Sequence, residues 1–359
     1  MRFIIVTQTF PPRVGGMQDV MESLAIKLSH DYQTVVLPDH QIPSNHPILK
    51  TKINFIFSNF PKLIRSFIKK LKLRKILLTE DIIICDSWKS INAVPKKVKK
   101  LIVFAHGQEF LSSTKKFKLI QKSLNKTNYI ICSSQYTHGL IQKLSITNTN
   151  KIIIPPTYSL VEPTQKNKKL KIKSKTVSIL TISRLEERKG IIPTLQSLAE
   201  LNKKKLIKPF EWNICGEGKQ MDELKKCVKN LELSDHVKLI GKISGDTKER
   251  FFENSDLFVM PSYRVKSSIE GFGISYVEAA AYGIPSIAGI EGGVSDAVID
   301  SQTGWCVDPL NPKQLSQTLI EAINNGTKRK KYGIQARKKF LDIFLGEKVF
   351  RKFMETIIS

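Results

Sequence analysis

Two glutamates separated by seven residues lie in a segment with the pattern of a strand, a turn and a helix. An apolar run ends at Met260, Gly271 and Gly273 follow, and a good helix-forming segment comes after them. The glycines permit a break that leaves Glu270 in the turn and Glu278 on the helix, so the two carboxylates can hold separate parts of one ligand. The free amides of a helix start suit a phosphate. A sugar, a ribose and a diphosphate match this set of groups.

Two cations and two glycines occupy comparable positions elsewhere in the chain. Arg184 comes after an apolar run and Lys189 opens the next helical segment. Both therefore lie at the carboxyl end of a predicted strand, where doubly wound sheets bind ligands. Gly15 and Gly16 stand between a strand and a helix, where glycine lets the backbone approach a phosphate. The alternatives are surface cations in a lysine-rich chain and a plain strand-to-helix turn.

Alternating strands and helices position these groups. Short runs rich in Ile and Val that alternate with helical segments indicate parallel sheets covered on both faces. The first series of runs is 3–7, 33–37, 53–57, 82–85, 101–105, 129–132 and 152–154, and the second is 177–182, 211–215, 237–240, 257–260, 285–288 and 305–307. We therefore expect Rossmann-like domains at 1–157 and 176–337, a linker at 158–175 and a helical C-terminal segment at 338–359.

Several motifs follow one another along the chain. They are Phe10-Pro11-Pro12-Arg13-Val14-Gly15-Gly16, Ser183-Arg184-Leu185 with Lys189-Gly190, Pro261-Ser262, Glu270-Gly271-Phe272-Gly273, and Glu278-Ala279-Ala280-Ala281-Tyr282-Gly283-Ile284-Pro285. This ordered series resembles the retaining nucleotide-sugar glycosyltransferases of family 4, and most closely their phosphatidylinositol mannosyltransferase-like members. The resemblance implies the GT-B fold, an α/β architecture in which two Rossmann-like doubly wound domains face each other across a cleft, the first binding the acceptor and the second the nucleotide sugar. It also implies that the helical segment 338–359 returns toward the N-terminal domain.

The resemblance also implies roles for individual residues. Arg184 and Lys189 would hold the donor diphosphate and stabilise its charge as the glycosidic bond breaks. Glu270 would position the sugar, and Glu278 would bind the ribose. His106 follows a predicted strand and corresponds to a histidine that contacts the transferred sugar. Further donor contacts are expected from Gly15, Gly16, Gly216, Ile243, Gly271, Phe272, Gly273 and Ile274.

Metal ions and cofactors are not expected. The chain contains no Asp-x-Asp sequence, so a metal-bound diphosphate has no obvious ligands, and Arg184 and Lys189 would take the place of the metal. No carboxylate pair in the first domain has the pattern of a nucleophile. This is consistent with a front-face mechanism, implied by the resemblance, in which the departing phosphate accepts the proton of the acceptor.

The chain is strongly basic, with a net charge of +26. In residues 1–154, 24 Lys and Arg against 8 Asp and Glu give +16, whereas 28 against 23 in residues 176–359 give +5. An anionic partner is therefore expected for the first domain. Segment 61–75 is either an outer helix packed on the sheet or a surface that lies on anionic lipid. We favour a membrane or acceptor surface formed by Lys62, Arg65, Lys69, Lys70, Lys72, Arg74 and Lys75.

Membrane-spanning and exported classes of protein are not indicated. No run of about 18 apolar residues is present, and the N-terminal segment leads directly into a Pro/Gly turn rather than forming a signal peptide. Five scattered cysteines without a Cys-x-x-Cys pair argue against disulfides and zinc. We expect a cytoplasmic protein that is peripheral on the inner face of the cell membrane.

The leading hypothesis is a hexosyltransferase that moves a hexose, with retention, from a UDP- or GDP-linked sugar to a lipid-linked or membrane-proximal acceptor in glycolipid or surface-polysaccharide synthesis. The expected partners are a nucleotide-sugar donor and a lipid-linked or saccharide acceptor. One alternative is a sugar-nucleotide epimerase or a phosphorylase on the same fold. The other is a nucleic-acid-binding protein, which charge alone suggests, because no interleaved aromatic and basic motif is present. We therefore expect no nucleic-acid partner.

Overall fold

In the structure, a computed structural model, the chain forms two units. It describes residues 1–13, 15–58, 60–96, 98–111, 114–147, 149–163 and 176–358, apart from the side chains of Lys62, Thr114 and Lys115. The first unit is Met1–Val161 with Leu345–Ser359, and the second is Glu162–Phe344. Most of the predicted linker, residues 164–175, lies outside the described residues.

The first unit is built around a parallel sheet. Over the described residues its strands are β1 Arg2–Val6, β2 Gln33–Leu37, β3 Asn54–Phe55, β4 Ile82–Cys85, β5 Lys100–Ala105, β6 Tyr129–Cys132 and β7 Asn150–Ile153. The helices between them are α1 Gly16–Asp31, α2 Lys62–Ile76, α3 Thr114–Leu124 and α4 Gln135–Gln142. The strand order is β3-β2-β1-β4-β5-β6-β7. The central strands are buried along nearly their whole length, as their continuous Ile and Val runs require.

The second unit repeats this architecture. In the described residues its strands are β8 Val177–Ile182, β9 Phe210–Cys215, β10 Val237–Gly241, β11 Leu257–Met260, β12 Ser286–Ala288 and β13 Gly304–Cys306. Its helices are α5 Ile191–Lys203, α6 Met221–Asn230, α7 Gly245–Glu253, α8 Ile274–Ala281, α9 Val294–Ala297, α10 Pro312–Asn324 and α11 Gly326–Lys339. The parallel strands are ordered β10-β9-β8-β11-β12-β13. The predicted pair of doubly wound α/β sheets is confirmed.

The helical C-terminal segment is divided between the two units. A π-helical turn, Phe340–Phe344, stays with the second unit, where the ring of Phe344 lies 5.7 Å from that of Phe272. The last helix, α12 Gly346–Ile358, belongs to the first unit. Its Phe353 is fully buried, with its ring centroid 5.9 Å from those of Phe104 and Tyr158. Aromatic packing therefore fixes both parts of the segment.

Helix α2 buries a cation that the sequence analysis placed on the surface. Lys69 is 3% exposed; its Nζ donates to Thr7 O and Leu37 O, both at 2.8 Å, and pairs with Asp39 Oδ1 at 2.6 Å. The prediction that Lys69 belongs to an exposed basic surface is therefore wrong. The physical reason is that carbonyls at the ends of β1 and β2 need a buried donor, and Lys69 supplies it.

The exposed side of α2 is largely apolar. Leu63 is 96% exposed, Phe67 62%, Ile64 47% and Leu71 39%, and we call these four residues the α2 apolar face. Two more of the predicted surface cations bind the protein itself, because Arg65 pairs with Asp39 and Lys72 donates to Phe57 O. Lys70, Arg74 and Lys75 remain beside the apolar face, and the side chain of Lys62 lies outside the described part. In the described residues, no helix is long and apolar enough to cross a membrane.

A close backbone crossing follows β9. Gly216 has a φ of +136°, and a Cβ built on it would lie 1.8 Å from Ser183 O. Any side chain at this position would therefore push apart the loops that follow β8 and β9.

We expect Gly216→Ala to destabilise the second unit by about 1–3 kcal/mol, because the added methyl overpacks this crossing. Gly326→Ala is the matched control, since a Cβ there would meet only the Arg329 side chain at 3.7 Å. The control should change stability by less than about 1 kcal/mol, in the stabilising direction. Urea unfolding followed by tryptophan fluorescence measures both, and equal destabilisation would contradict the expectation.

Candidate active site

The motif between β11 and α8 forms a tight turn that ends at Gly273. Gly273 is the N-cap of α8 and provides no side-chain cap, so the first amides of the helix lack a capping side chain. Tyr276 is 1% exposed, donates its hydroxyl hydrogen to Met260 O and lies 3.2 Å from Ser262 Oγ. This tyrosine therefore ties the first turn of α8 to the end of β11.

Glu270 lies in this turn with two cations on one of its oxygens. Its Oε2 accepts hydrogen bonds from Arg188 Nη1 at 2.7 Å and from Lys189 Nζ at 2.5 Å, and its side chain is 14% exposed. Burial alone would raise the pKa of Glu270, but the two cations outweigh it and lower the pKa to about 2. Glu270 is therefore ionised at neutral pH; it accepts hydrogen bonds and cannot deliver a proton.

These contacts continue into a chain of alternating charges, which we call the Glu270 network. Arg188 also donates to Glu186 Oε2 at 3.1 Å, and Glu186 Oε1 pairs with Arg184 Nη1 at 2.8 Å. The network thus holds three cations and two carboxylates. Arg184 is 66% exposed and Lys189 is 8% exposed. The network therefore reaches from solvent to a half-buried carboxylate and carries an excess of positive charge.

Arg188 is a central member of the network that sequence analysis missed. It is 4% exposed and binds both carboxylates of the network. The signal was its place directly before Lys189, in a run of two glutamates and two cations. Residues Glu187–Lys189 form a 3₁₀ turn, and that turn decides which cation reaches which carboxylate.

A second glycine brings the loops after β8 and β11 together. Gly190 follows Lys189 with a φ of +70°, and a Cβ built on it would lie 2.2 Å from Pro261 O. Gly216 N, after β9, donates to Gly241 O at the end of β10. The carboxyl ends of the four strands are therefore held together at one edge of the second sheet.

Glu278 forms a separate charged contact. Its Oε1 accepts a hydrogen bond from Lys248 Nζ of α7 at 2.5 Å, and its side chain is 16% exposed. Lys248 is 31% exposed and was also missed by sequence analysis. The two predicted glutamates thus hold different cations, Glu270 in the turn and Glu278 on the helix.

The other predicted donor-binding residues of the second domain lie along the same edge. Ile243 is half-buried in the loop after β10, and Gly271 and Ile274 are half-buried beside Glu270. Phe272 is 4% exposed, and its ring packs on that of Phe344. Their contacts with a donor stay predictions.

His106, Gly15 and Gly16 belong to the first unit, at the carboxyl ends of β5 and β1. His106 Nε2 lies 2.9 Å from Asp86 O, and its backbone N donates to Glu109 Oε1 at 2.8 Å. Gly15 is the N-cap of α1, which begins at Gly16. Asp86 was not singled out by any sequence motif.

The candidate active site lies in a segment that matches a known protein family. Residues 163–339 match the family of glycosyl transferases group 1. These residues cover nearly all of the second unit, Glu162–Phe344. The match contains the whole Glu270 network and Glu278, so the second unit is a glycosyltransferase domain, as the sequence motifs predicted.

Named relatives of this chain include mannosyltransferases. A GDP-mannose-dependent alpha-(1-6)-phosphatidylinositol monomannoside mannosyltransferase of Mycolicibacterium smegmatis is 28% identical over 46% of this chain and 43% of its own length. A GDP-mannose-dependent monoacylated alpha-(1-6)-phosphatidylinositol monomannoside mannosyltransferase of Corynebacterium glutamicum is 24% identical over 93% of this chain and 92% of its own. The alignment therefore spans less than half of the first relative and nearly all of the second.

Solved structures share the architecture of the whole chain. Anabaena HepE in complex with UDP and glucose superposes with a TM-score of 0.79 at 17% identity, covering 100% of both chains. Sucrose-phosphate synthase from Thermosynechococcus elongatus gives 0.80 at 17% identity, covering 99% of this chain and 97% of the other. These neighbours are GT-B glycosyltransferases, and the predicted GT-B fold is confirmed.

We expect Arg188→Met to destabilise the second unit by about 3 kcal/mol, because it leaves two carboxylates in a buried network with one cation fewer. Arg184→Met is the matched control, four residues away in the same network but largely exposed. It should cost less than about 1 kcal/mol. Urea unfolding of both variants measures the difference, and equal costs would show that Arg188 does not hold the network.

Proposed function

We propose that this group 1 glycosyl transferase moves a hexose, with retention, from a nucleoside diphosphate sugar to a lipid-linked or membrane-proximal acceptor. The observation that carries the proposal is the Glu270 network, in which an ionised carboxylate lies against buried cations at the ligand-binding edge of a doubly wound sheet. The relatives support the donor class, since two are named as GDP-mannose-dependent and HepE was solved with UDP and glucose.

The cations act on the diphosphate. Breaking the glycosidic bond leaves negative charge on that group, and Arg184 and Lys189 stabilise it in the role that a metal ion plays in other enzymes. The entering diphosphate competes with Glu186 for Arg184 and with Glu270 for Lys189. Arg188 stays with both carboxylates and continues to lower the pKa of Glu270. The excess positive charge of the network supports this exchange of partners.

The two glutamates bind the hydroxyls at either end of the donor. Glu270 cannot protonate a leaving group at neutral pH, so it accepts hydrogen bonds from the sugar, and Glu278 accepts them from the vicinal hydroxyls of the ribose. In the proposed front-face transfer, the bond from the anomeric carbon to the phosphate oxygen breaks. The acceptor oxygen bonds the same carbon on the same face, and its proton passes to the departing phosphate.

The proposed acceptor side lies at an anionic membrane surface, and helix α2 supports this. The α2 apolar face exposes two leucines, an isoleucine and a phenylalanine, with Lys70, Arg74 and Lys75 beside them. A helix with exposed apolar residues and adjacent cations suits the boundary between headgroups and acyl chains. The net charge of +16 over residues 1–154 adds long-range attraction to anionic lipid.

For the donor, we expect Glu278→Ala to raise KM about 10- to 100-fold, because a hydrogen bond to a charged acceptor contributes about 1.5–3 kcal/mol. Glu270→Ala should chiefly lower kcat, through loss of sugar positioning. Transfer from radiolabelled UDP- and GDP-sugars to membrane lipid gives both constants. Conversion of the sugar nucleotide by the wild type, without transfer of the sugar to lipid, would point to the epimerase alternative.

Glu211→Ala is the control for these variants, since Glu211 is exposed near the amino end of β9, at the opposite edge of the sheet. It should leave KM and kcat unchanged. Excess chelator should likewise leave the wild-type rate unchanged, because side chains neutralise the diphosphate. Normal turnover by both active-site variants would contradict the site, and activity restored only by a divalent ion would contradict the role of the cations.

For the membrane, we expect Leu63→Ser with Phe67→Ser to lower binding to anionic vesicles at both low and high salt, because apolar burial is not screened. Replacing Lys70, Arg74 and Lys75 by Gln should lower binding mainly at low salt, by about 1 kcal/mol per cation. Lys69 is left intact because it is buried. Vesicle co-sedimentation at two ionic strengths measures both effects.

The matched control for the apolar pair is Leu206→Ser with Leu310→Ser, two leucines of the second unit that are 48% and 60% exposed. This control should bind vesicles as the wild type does. Unchanged binding of the α2 variant, or an equal loss in the control, would return α2 to the role of a helix that covers the sheet.

A further inference from the structure

A buried aspartate lies at the point where the strand order of the first sheet reverses. Chain order runs outward from β1 through β2 to β3 on one side, and from β4 through β5 to β7 on the other. Asp86 directly follows β4 and is 1% exposed. In doubly wound sheets, the crevice at the carboxyl ends of the strands beside such a reversal is where ligands bind.

The carboxylate of Asp86 fastens the start of the loop that leads to Gly15 and Gly16. Its Oδ2 accepts hydrogen bonds from Thr7 Oγ1 at 2.9 Å, from the backbone N of Gln8 and of Thr9 at 2.8 Å, and from Thr9 Oγ1 at 2.6 Å. Its Oδ1 accepts one from Ser90 Oγ at 2.5 Å. Neutral hydroxyls and amides thus hold the carboxylate, and it in turn fixes the backbone after β1.

The backbone of the same residue fixes His106. The Nε2 of His106 lies 2.9 Å from Asp86 O. A carbonyl oxygen only accepts hydrogen bonds, so Nε2 carries the hydrogen and, in the neutral ring, Nδ1 is left as an acceptor. His106 is half-exposed at the end of β5. Its tautomer is therefore set by Asp86, and Nδ1 is the ring nitrogen left to meet a ligand.

We propose that Asp86 is a positioning residue that couples the loop before α1 to His106 and fixes its tautomer, so that Nδ1 is the nitrogen available for the sugar contact that the family resemblance implies for His106. The role toward sugar rests on the proposed function, whereas the tautomer of His106 does not. The two parts can therefore be tested apart.

The tautomer is tested by ¹⁵N NMR of the histidine-labelled full chain at about pH 8, where neutral imidazole predominates in general. The chain has six histidines, and His106 is assigned by the signals missing from His106→Asn. We expect a pyrrole-type Nε2 and a pyridine-type Nδ1. The opposite tautomer, or a single averaged signal, would overturn the proposal whether or not the protein transfers sugar.

Two substitutions of His106 test whether Nδ1 or Nε2 contacts the sugar. The amide oxygen of Asn can take the place of Nδ1, whereas the longer Gln places its amide near Nε2. We expect His106→Asn to keep a kcat/KM about tenfold above that of His106→Gln, since one hydrogen bond contributes about that factor. The reverse order would overturn the role of Nδ1. Absence of transfer by the wild type would instead overturn the proposed function.

The positioning role is tested by Asp86→Asn against a matched aspartate at the other end of β4. Asp81 directly precedes β4, is 2% exposed and pairs with Arg2 at 2.6 Å. Both Asn variants should lower the melting temperature. Only Asp86→Asn should lower kcat, by about 10- to 100-fold, with the donor KM within about threefold of the wild type. Equal kcat in the two variants would show that Asp86 has only a structural role. In Asp86→Ala, His106 should lose the ¹⁵N signals of a pyrrole-type Nε2 and a pyridine-type Nδ1.

Discussion

An ionised carboxylate that is largely removed from water has to be stabilised by cations or by hydrogen-bond donors that lie against it. In this protein that requirement falls on Glu270, which receives hydrogen bonds from two neighbouring residues, Arg188 and Lys189. Those cations follow β8 whereas Glu270 follows β11, so the two loops have to meet. The close approach of Gly190 to Pro261 keeps them together, and the hydroxyl of Tyr276 on Met260 fixes α8 to the end of β11. The geometry of the second sheet's ligand-binding edge depends on this contact.

The two units stabilise a carboxylate with little solvent exposure by different interactions. The Glu270 network uses side-chain cations, two of which exchange partners with an anionic donor in the proposed function, and it ends in an arginine that is largely exposed. Asp86 in the first unit is held by hydroxyls and backbone amides, which a ligand cannot exchange in this way. A site that neutralises a leaving group needs the first arrangement. A site that fixes the direction of an imidazole needs the second.

In helix α2, contacts with the ends of two strands set the orientation of the helix, against the hydrophobic pattern of its sequence. Its segment was expected either to pack on the sheet or to lie on lipid, and Lys69 was placed among the surface cations. The carbonyls of Thr7 and Leu37 instead take Lys69 into the interior, together with Asp39. The helix is thereby rotated so that Leu63 and Phe67 point outward. Satisfying buried carbonyls outweighed burying those two side chains.

The sequence by itself determined the parts of this protein that depend on local pattern. Continuous apolar runs defined both sheets within one or two residues at most strands, and glycines beside Glu270 marked the turn before α8. Contacts between residues distant in sequence were decided only by the tertiary structure. The pairing of Arg188 with Glu270, of Lys248 with Glu278 and of Asp86 with the loop after β1 joins residues that are 30 to 82 positions apart. The hydrophobic period of a strand or helix indicates which side of that element faces inward. The packing of other elements decides which charged partner each side chain contacts.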